Sequence, residues 1–227
     1  MRNFRLHLVR HGLTESNLRG EYAGGRTDSP LCQEGMRELI DLRESYEYPA
    51  VGLVFSSPLI RCIQTAGIVY PGRELLVHPG LAEVDMGEFD GRTAQELQDR
   101  PDFQQWLTQS ATTPPPGGES AQDLMLRVAG ALDDILAHMA AQELYDAAIV
   151  THGGVISSIL SFMALPRLPL PDRMVGNGRG YTCYATPQLW QRDKIIEVAG
   201  IMPHGVTSAG EINPELLTVL GQLAQEG

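Results

Sequence analysis

Alternating strand and helix patterns predict an α/β protein: a three-layer sandwich with a mainly parallel central sheet and helices on both faces. Three observations carry that expectation. Short apolar runs recur between segments of helical spacing. One of them, Ala147–Val150, is apolar throughout, as a strand covered on both faces should be. Three runs end in polar segments rich in Arg, His and Ser, where open α/β sheets place ligands.

The elements follow in order. Phe4, Leu6 and Leu8 alternate with other residues and read as a strand to Val9. A glycine-rich loop runs from Gly12 through Gly24 and Gly25 to Pro30. Helical spacing of Met36, Leu39, Ile40 and Arg43 predicts a helix from Gln33 to about Tyr46. Val51–Phe55 is a second strand, and Ser56-Ser57-Pro58 opens the next helix, with proline at a position that needs no amide donor. Leu75–Val77 is a third strand, and two short helices broken near Pro101 fill Thr93 to Thr108. An irregular segment, Thr113–Gly118, precedes a long helix from Ser120 to Glu143 with Leu124, Val128, Leu132, Ile135 and Met139 near one face. Beyond the Ala147–Val150 strand come a helix from Gly153 to Met163 and a loop from Pro166 to Gly180. Strands at Tyr181–Ala185 and Ile195–Val198 follow, and a terminal helix starts at Pro214. No internal repeat is present, and the whole chain, 1–227, is expected to form one domain.

Composition narrows the function. Net charge is −11, so a general surface for nucleic acid or anionic lipid is excluded as the expectation, while a few clustered arginines can still hold a small phosphorylated ligand. Lys194 is the only lysine. The first residues lack a signal-peptide core and no apolar run reaches membrane-spanning length, which predicts a cytoplasmic protein. Cys32, Cys62 and Cys183 are odd in number and widely spaced, so neither a disulfide framework nor a zinc site is indicated. Oligomeric state cannot be read from these features.

The chemistry lies at the strand ends: Arg10-His11-Gly12, Ser56-Ser57-Pro58 with Arg61, and Thr151-His152-Gly153-Gly154. Arginine presents a planar donor fork matched to phosphate oxygens, amides at the helix start near Gly153 add donors, and a neutral imidazole can attack phosphorus. Leu8–Asn17 (LVRHGLTESN) resembles the opening motif of the histidine phosphatase superfamily, in its phosphoglycerate-mutase-like branch. Ser56–Ala66 (SSPLIRCIQTA), Leu81–Gly91 (LAEVDMGEFDG) and Val150–Gly154 (VTHGG) resemble its later motifs, in the family's order. The likeness covers about residues 4 to 186 and is nearest in layout to small bacterial phosphatases such as α-ribazole-phosphate phosphatase.

That resemblance implies a phosphohistidine on His11, phosphate contacts from Arg10 and Arg61, and a phosphoryl-oxygen donor at His152. It implies Glu83 as the acid that protonates the leaving alkoxide and then the base for water, with Asp85 as the alternative carboxylate. Asn17 and Thr14 match family positions near the phosphate, although a turn or cap role explains them too. Leu13 departs from the usual Glu or Gln, and Asp90 from the usual Glu. Asp28 fits the family or a turn equally. His7 is expected to be structural, while His78, His138 and His204 receive no role. No metal and no cofactor is implied, because the arginines supply the charge neutralisation a metal would. The interval from Glu83 to His152 leaves little chain for an extensive lid, which favours a phosphatase over a mutase. A non-catalytic phosphate-binding module is a further alternative, disfavoured because all five catalytic positions are filled.

Overall fold

In the computed structural model of the chain, residues 2–110 and 112–205 are described. Among them, seven strands form one sheet: β1 (Phe4–Arg10), β2 (Leu53–Ser56), β3 (Glu74–Val77), β4 (Asp146–Thr151), β5 (Ala164–Leu165), β6 (Gly180–Ala185) and β7 (Ile196–Met202). Their order is β3-β2-β4-β1-β6-β7-β5. β2 lies parallel to β3 and β4, β4 to β1, and β5 to β7, whereas β6 runs antiparallel to both its neighbours. The expected mainly parallel sheet is what the chain forms.

The helices are α1 (Glu15–Leu18), α2 (Gln33–Ser45), α3 (Ile60–Val69), α4 (Ala94–Leu97), α5 (Pro101–Gln109), α6 (Ala121–Ala141), α7 (Gly153–Phe162), α8 (Leu170–Arg173) and α9 (Pro187–Asp193). Two apolar clusters separate the layers. On one face Leu6, Leu8, Phe55 and Ile149 pack with α6 and α7 through Val128, Leu132, Ile135, Val155 and Ile159. On the other, Val9, Val54, Ala148 and Val150 pack with α2 and α3 through Leu39, Cys62, Ala66 and Val69. Alternate residues of one strand therefore feed opposite layers. Fully burying a side chain such as Leu8 on one face or Val9 on the other contributes about 1.5–3 kcal/mol, so both layers hold the sheet firmly.

The structure corrects several boundaries. Pro58 does not start its helix; α3 begins at Ile60, and Leu59 is its extended cap residue. The stretch from Pro166 to Gly180 is not wholly loop, since α8 lies within it. β5, α1 and α9 had no place in the sequence reading. The helix expected from Pro214 lies outside the described residues.

Candidate active site

The register of β1 on β4 builds the site. Arg10 pairs with Thr151, and the ladder runs one bond further, with His11 N–H donating to Thr151 O at 2.9 Å. His11 and His152 are thus the next residues of two neighbouring parallel strands. Their rings lie edge to face, centroids 5.2 Å apart. Ser57 follows β2 on the far side of β4 in the same way, its N–H donating to Val150 O at 3.0 Å. Residues distant in sequence meet because three parallel strands end together.

His11 is buried, 4% exposed. Its Nδ1 is 2.7 Å from Gly12 O, and a carbonyl oxygen can only accept, so Nδ1 carries the proton. The neutral ring then keeps a bare lone pair on Nε2, which is the nucleophilic form. Burial first, then the charges of Arg10 and Arg61, push its pKa well below the ordinary 6.5. The ring is neutral at pH 7.

Both arginines are held by carbonyl dipoles that leave their charges available to an anion. Arg10 Nη1 donates to Val175 O at 2.7 Å, while its Nε is buried without a partner. A buried unmade donor is costly, and an incoming anion would satisfy it. Arg61 is fully buried. It donates from Nη1 to Thr27 O at 2.6 Å, from Nη2 to Gly24 O at 3.2 Å, and from Nε to His152 Nδ1 at 3.2 Å.

Glu83 closes the group. Thr151 Oγ1 donates to Leu81 O at 2.8 Å, tying the acidic segment to the end of β4. The Glu83 carboxylate accepts from Val84 N at 2.9 Å and from Gly154 N, in the first turn of α7, at 3.2 Å. Burial raises its pKa above the ordinary 4.5, against the lowering pull of those two amides and of Arg61 and Arg10. A carboxyl that stays protonated to higher pH is suited to acid catalysis.

This arrangement is matched by known proteins. The model of the histidine phosphatase superfamily (branch 1) matches residues 6–189. The chain belongs to the histidine phosphatase superfamily. An adenosylcobalamin/alpha-ribazole phosphatase of Salmonella typhimurium is 32% identical over 161 residues, 69% of this chain and 78% of that protein. A 2,3-bisphosphoglycerate-dependent phosphoglycerate mutase of Rhizobium etli is 36% identical over 137 residues, 54% of this chain and 63% of that protein. A mycobacterial glucosyl-3-phosphoglycerate phosphatase has the same fold, with TM-score 0.68 and 25% identity over 92% of this chain and 100% of that one. The chain is accordingly an enzyme of the histidine phosphatase family, as the motifs imply.

The remaining expected residues of this family member divide by what they bond. Thr14 and Asn17 form a reciprocal cap on α1: Asn17 N donates to Thr14 Oγ1 at 3.2 Å, and Thr14 N donates to Asn17 Oδ1 at 3.1 Å. These bonds use the amide oxygen of Asn17 and leave its Nδ2 donor for a ligand. Gly153 opens α7, and a Cβ there would lie 3.4 Å from Arg10 Nε. Asp85 turns outward to Arg26, with Nη2 to Oδ2 at 2.9 Å. Asp28 caps α3 from a distance, accepting from Ile60 N at 2.7 Å. Asp90 organises the loop that holds Arg61, accepting from Gly24 N, Arg26 N and Thr27 Oγ1. Leu13 contributes its backbone, its carbonyl accepting from Cys32 N at 3.1 Å. His7 is structural, between Thr182 at 2.9 Å and Asp146 at 2.7 Å. His78, given no role from sequence, bonds Asp134 at 3.3 Å.

Sequence reasoning gave no role to several residues that matter here. Thr65 Oγ1 accepts from Gly12 N at 2.9 Å and donates to Arg61 O at 2.7 Å, clamping the nucleophile's loop to the arginine's helix. Asn177 Nδ2 donates to His11 O at 2.9 Å. Ser57 Oγ lies 2.7 Å from His152 Nε2. Among the described residues, no group of three or more His, Cys, Asp or Glu could hold a metal ion. No described helix is long and apolar enough to cross a membrane.

Proposed function

We propose that this protein is a metal-independent phosphatase that hydrolyses a small phosphorylated metabolite through a phosphohistidine on His11, in the cytoplasm. One observation carries the reading: a neutral imidazole with its bare Nε2 lies within reach of two arginine charges that no carboxylate hydrogen bond neutralises among the described residues. In the first step the Nε2 lone pair forms the N–P bond while the P–O bond to the leaving group breaks. Glu83 gives its proton to the departing oxygen. In the second step the Glu83 carboxylate takes a proton from water, the water oxygen bonds phosphorus, and the N–P electron pair returns to Nε2. Arg10 and Arg61 neutralise the phosphoryl charge throughout, which is the service a metal would otherwise provide.

Hydrolysis is favoured over isomerisation by what fills the chain between Glu83 and His152. α4, α5, the proline-rich loop, α6 and β4 account for most of it, leaving little to build a cover against water. Given 3-phosphoglycerate and its bisphosphate primer, the enzyme should release inorganic phosphate far faster than it forms isomer. Dominant isomerisation would reverse the choice. Prolonged treatment with a chelator should leave turnover unchanged; loss that a divalent cation restores would contradict arginine-based neutralisation.

A further inference from the structure

His152 is fully buried, so each ring nitrogen must find its partner within the protein or in a ligand. Arg61 Nε–H can only donate, and it lies 3.2 Å from His152 Nδ1. Nδ1 is therefore the acceptor, and the single proton of the neutral ring belongs on Nε2. Burial and the charges of His11, Arg61 and Arg10 all favour that neutral ring.

Two groups face the Nε2–H. Ser57 Oγ is 2.7 Å away, at full hydrogen-bond strength. Cys62 Sγ is 3.4 Å from Nε2, but its thiol also lies 3.5 Å from Thr151 O, to which it donates. Burial pushes the Cys62 thiol far up, so it stays neutral and weakly accepting. The Ser57 oxygen is itself fixed, since it accepts from Leu59 N at 3.3 Å in the turn before α3. Arg61 on one side and Ser57 on the other thus hold the ring in one tautomer and one orientation.

We infer that Ser57 is a positioning residue: with the tautomer set by Arg61, its oxygen holds the Nε2–H of His152 and keeps the ring's one donor in place for the phosphoryl oxygen. Without ligand the donor rests on Ser57; a phosphoryl oxygen is the stronger, charged acceptor and takes it over. The catalytic half of this inference rests on the phosphatase reading above, but the Ser57–His152 hydrogen bond does not.

The test is a long-range proton–nitrogen correlation spectrum of the full chain carrying nitrogen-15 histidine, with His152 assigned from its loss in His152→Asn. The wild-type ring should be protonated on Nε2 with a bare Nδ1. Ser57→Ala should keep the Nε2–H tautomer, because Arg61 still donates to Nδ1, but its Nε2 proton should lose the downfield shift of a short hydrogen bond. kcat should fall about tenfold, the scale of one buried hydrogen bond, with little change in KM. Ser57→Thr, which keeps the oxygen, should restore the wild-type Nε2 proton signal. A wild-type ring protonated on Nδ1, or an unchanged Nε2 proton signal in Ser57→Ala, overturns the inference. If Ser57→Ala does not fold, the wild-type and Ser57→Thr spectra decide alone: anything but a downfield Nε2 proton in either overturns it. If the chain hydrolyses no phosphomonoester while that signal still depends on Ser57, the proposed activity fails and the positioning bond stands.

Discussion

The proposed mechanism needs His11 neutral and Glu83 protonated at the same moment, and ordinary values of 6.5 and 4.5 would leave that state rare. With those values, a pH that frees most of the imidazole ionises most of the acid. The site shifts both groups toward coexistence: burial and two arginine charges depress His11, while burial raises Glu83. The dependence of kcat/KM on pH should therefore be bell-shaped. Its acid limb, from protonation of His11, falls below pH 6.5, and its alkaline limb, from ionisation of Glu83, falls above pH 4.5. Glu83→Gln removes the transferable proton and the base together. It should slow alkyl phosphates by about 10²–10⁴-fold and abolish the alkaline limb. With 4-nitrophenyl phosphate the first step needs no proton and should suffer much less. An unchanged profile in Glu83→Gln, with the defect appearing in Asp85→Asn, would transfer the role to Asp85.

The helix α7 serves the site with its first turn. His152 is its cap residue, Gly153 lies against Arg10, and the Gly154 amide fixes the Glu83 carboxylate. A Cβ at Gly154 would stand 2.5 Å from Glu83 Oε1. Alanine is about 1 kcal/mol better than glycine inside a helix, so Gly154→Ala should fold with an equal or higher Tm. It should nevertheless lose about 10²-fold in alkyl phosphate hydrolysis, because a displaced carboxyl no longer meets the leaving oxygen. Gly130→Ala is the control. That glycine is exposed on α6 with nothing within 4 Å of a new Cβ, so stability should rise about 0.5–1 kcal/mol with unaltered turnover. Full activity in Gly154→Ala would mean that hydrolysis does not depend on the Glu83 carboxyl staying against the first turn of α7. Element by element, long periodic segments such as α2 and α6 were legible in the sequence because burial imposes their spacing. β5 was not, since two residues carry no period. α9 carries only a start signal, Thr186 followed by Pro187, and is too short to show a helical period.

At the scale of the whole molecule, one sheet with a single reversed strand brings the carboxyl ends of β1, β2 and β4 together. An acidic chain of net charge −11 thereby gathers two arginines, Arg61 buried and Arg10 half-buried, at that end of the sheet. Residues that announce chemistry by type were legible: Arg10, His11 and His152 stand at the ends of recognisable strands, and Arg61 lies in the motif that follows β2. Glu83 was legible only through its family likeness, as several carboxylates stand near it. Ser57, Thr65 and Asn177 were silent because their partners are backbone groups or a ring brought near only by folding. No spacing rule reports a bond from Asn177 to the carbonyl of His11. The account stands or falls on the covalent intermediate. Rapid quench of the enzyme with labelled phosphomonoester should trap one acid-labile, base-stable phosphoryl group, and His11→Ala should lose both the label and turnover. Label that survives His11→Ala would contradict it.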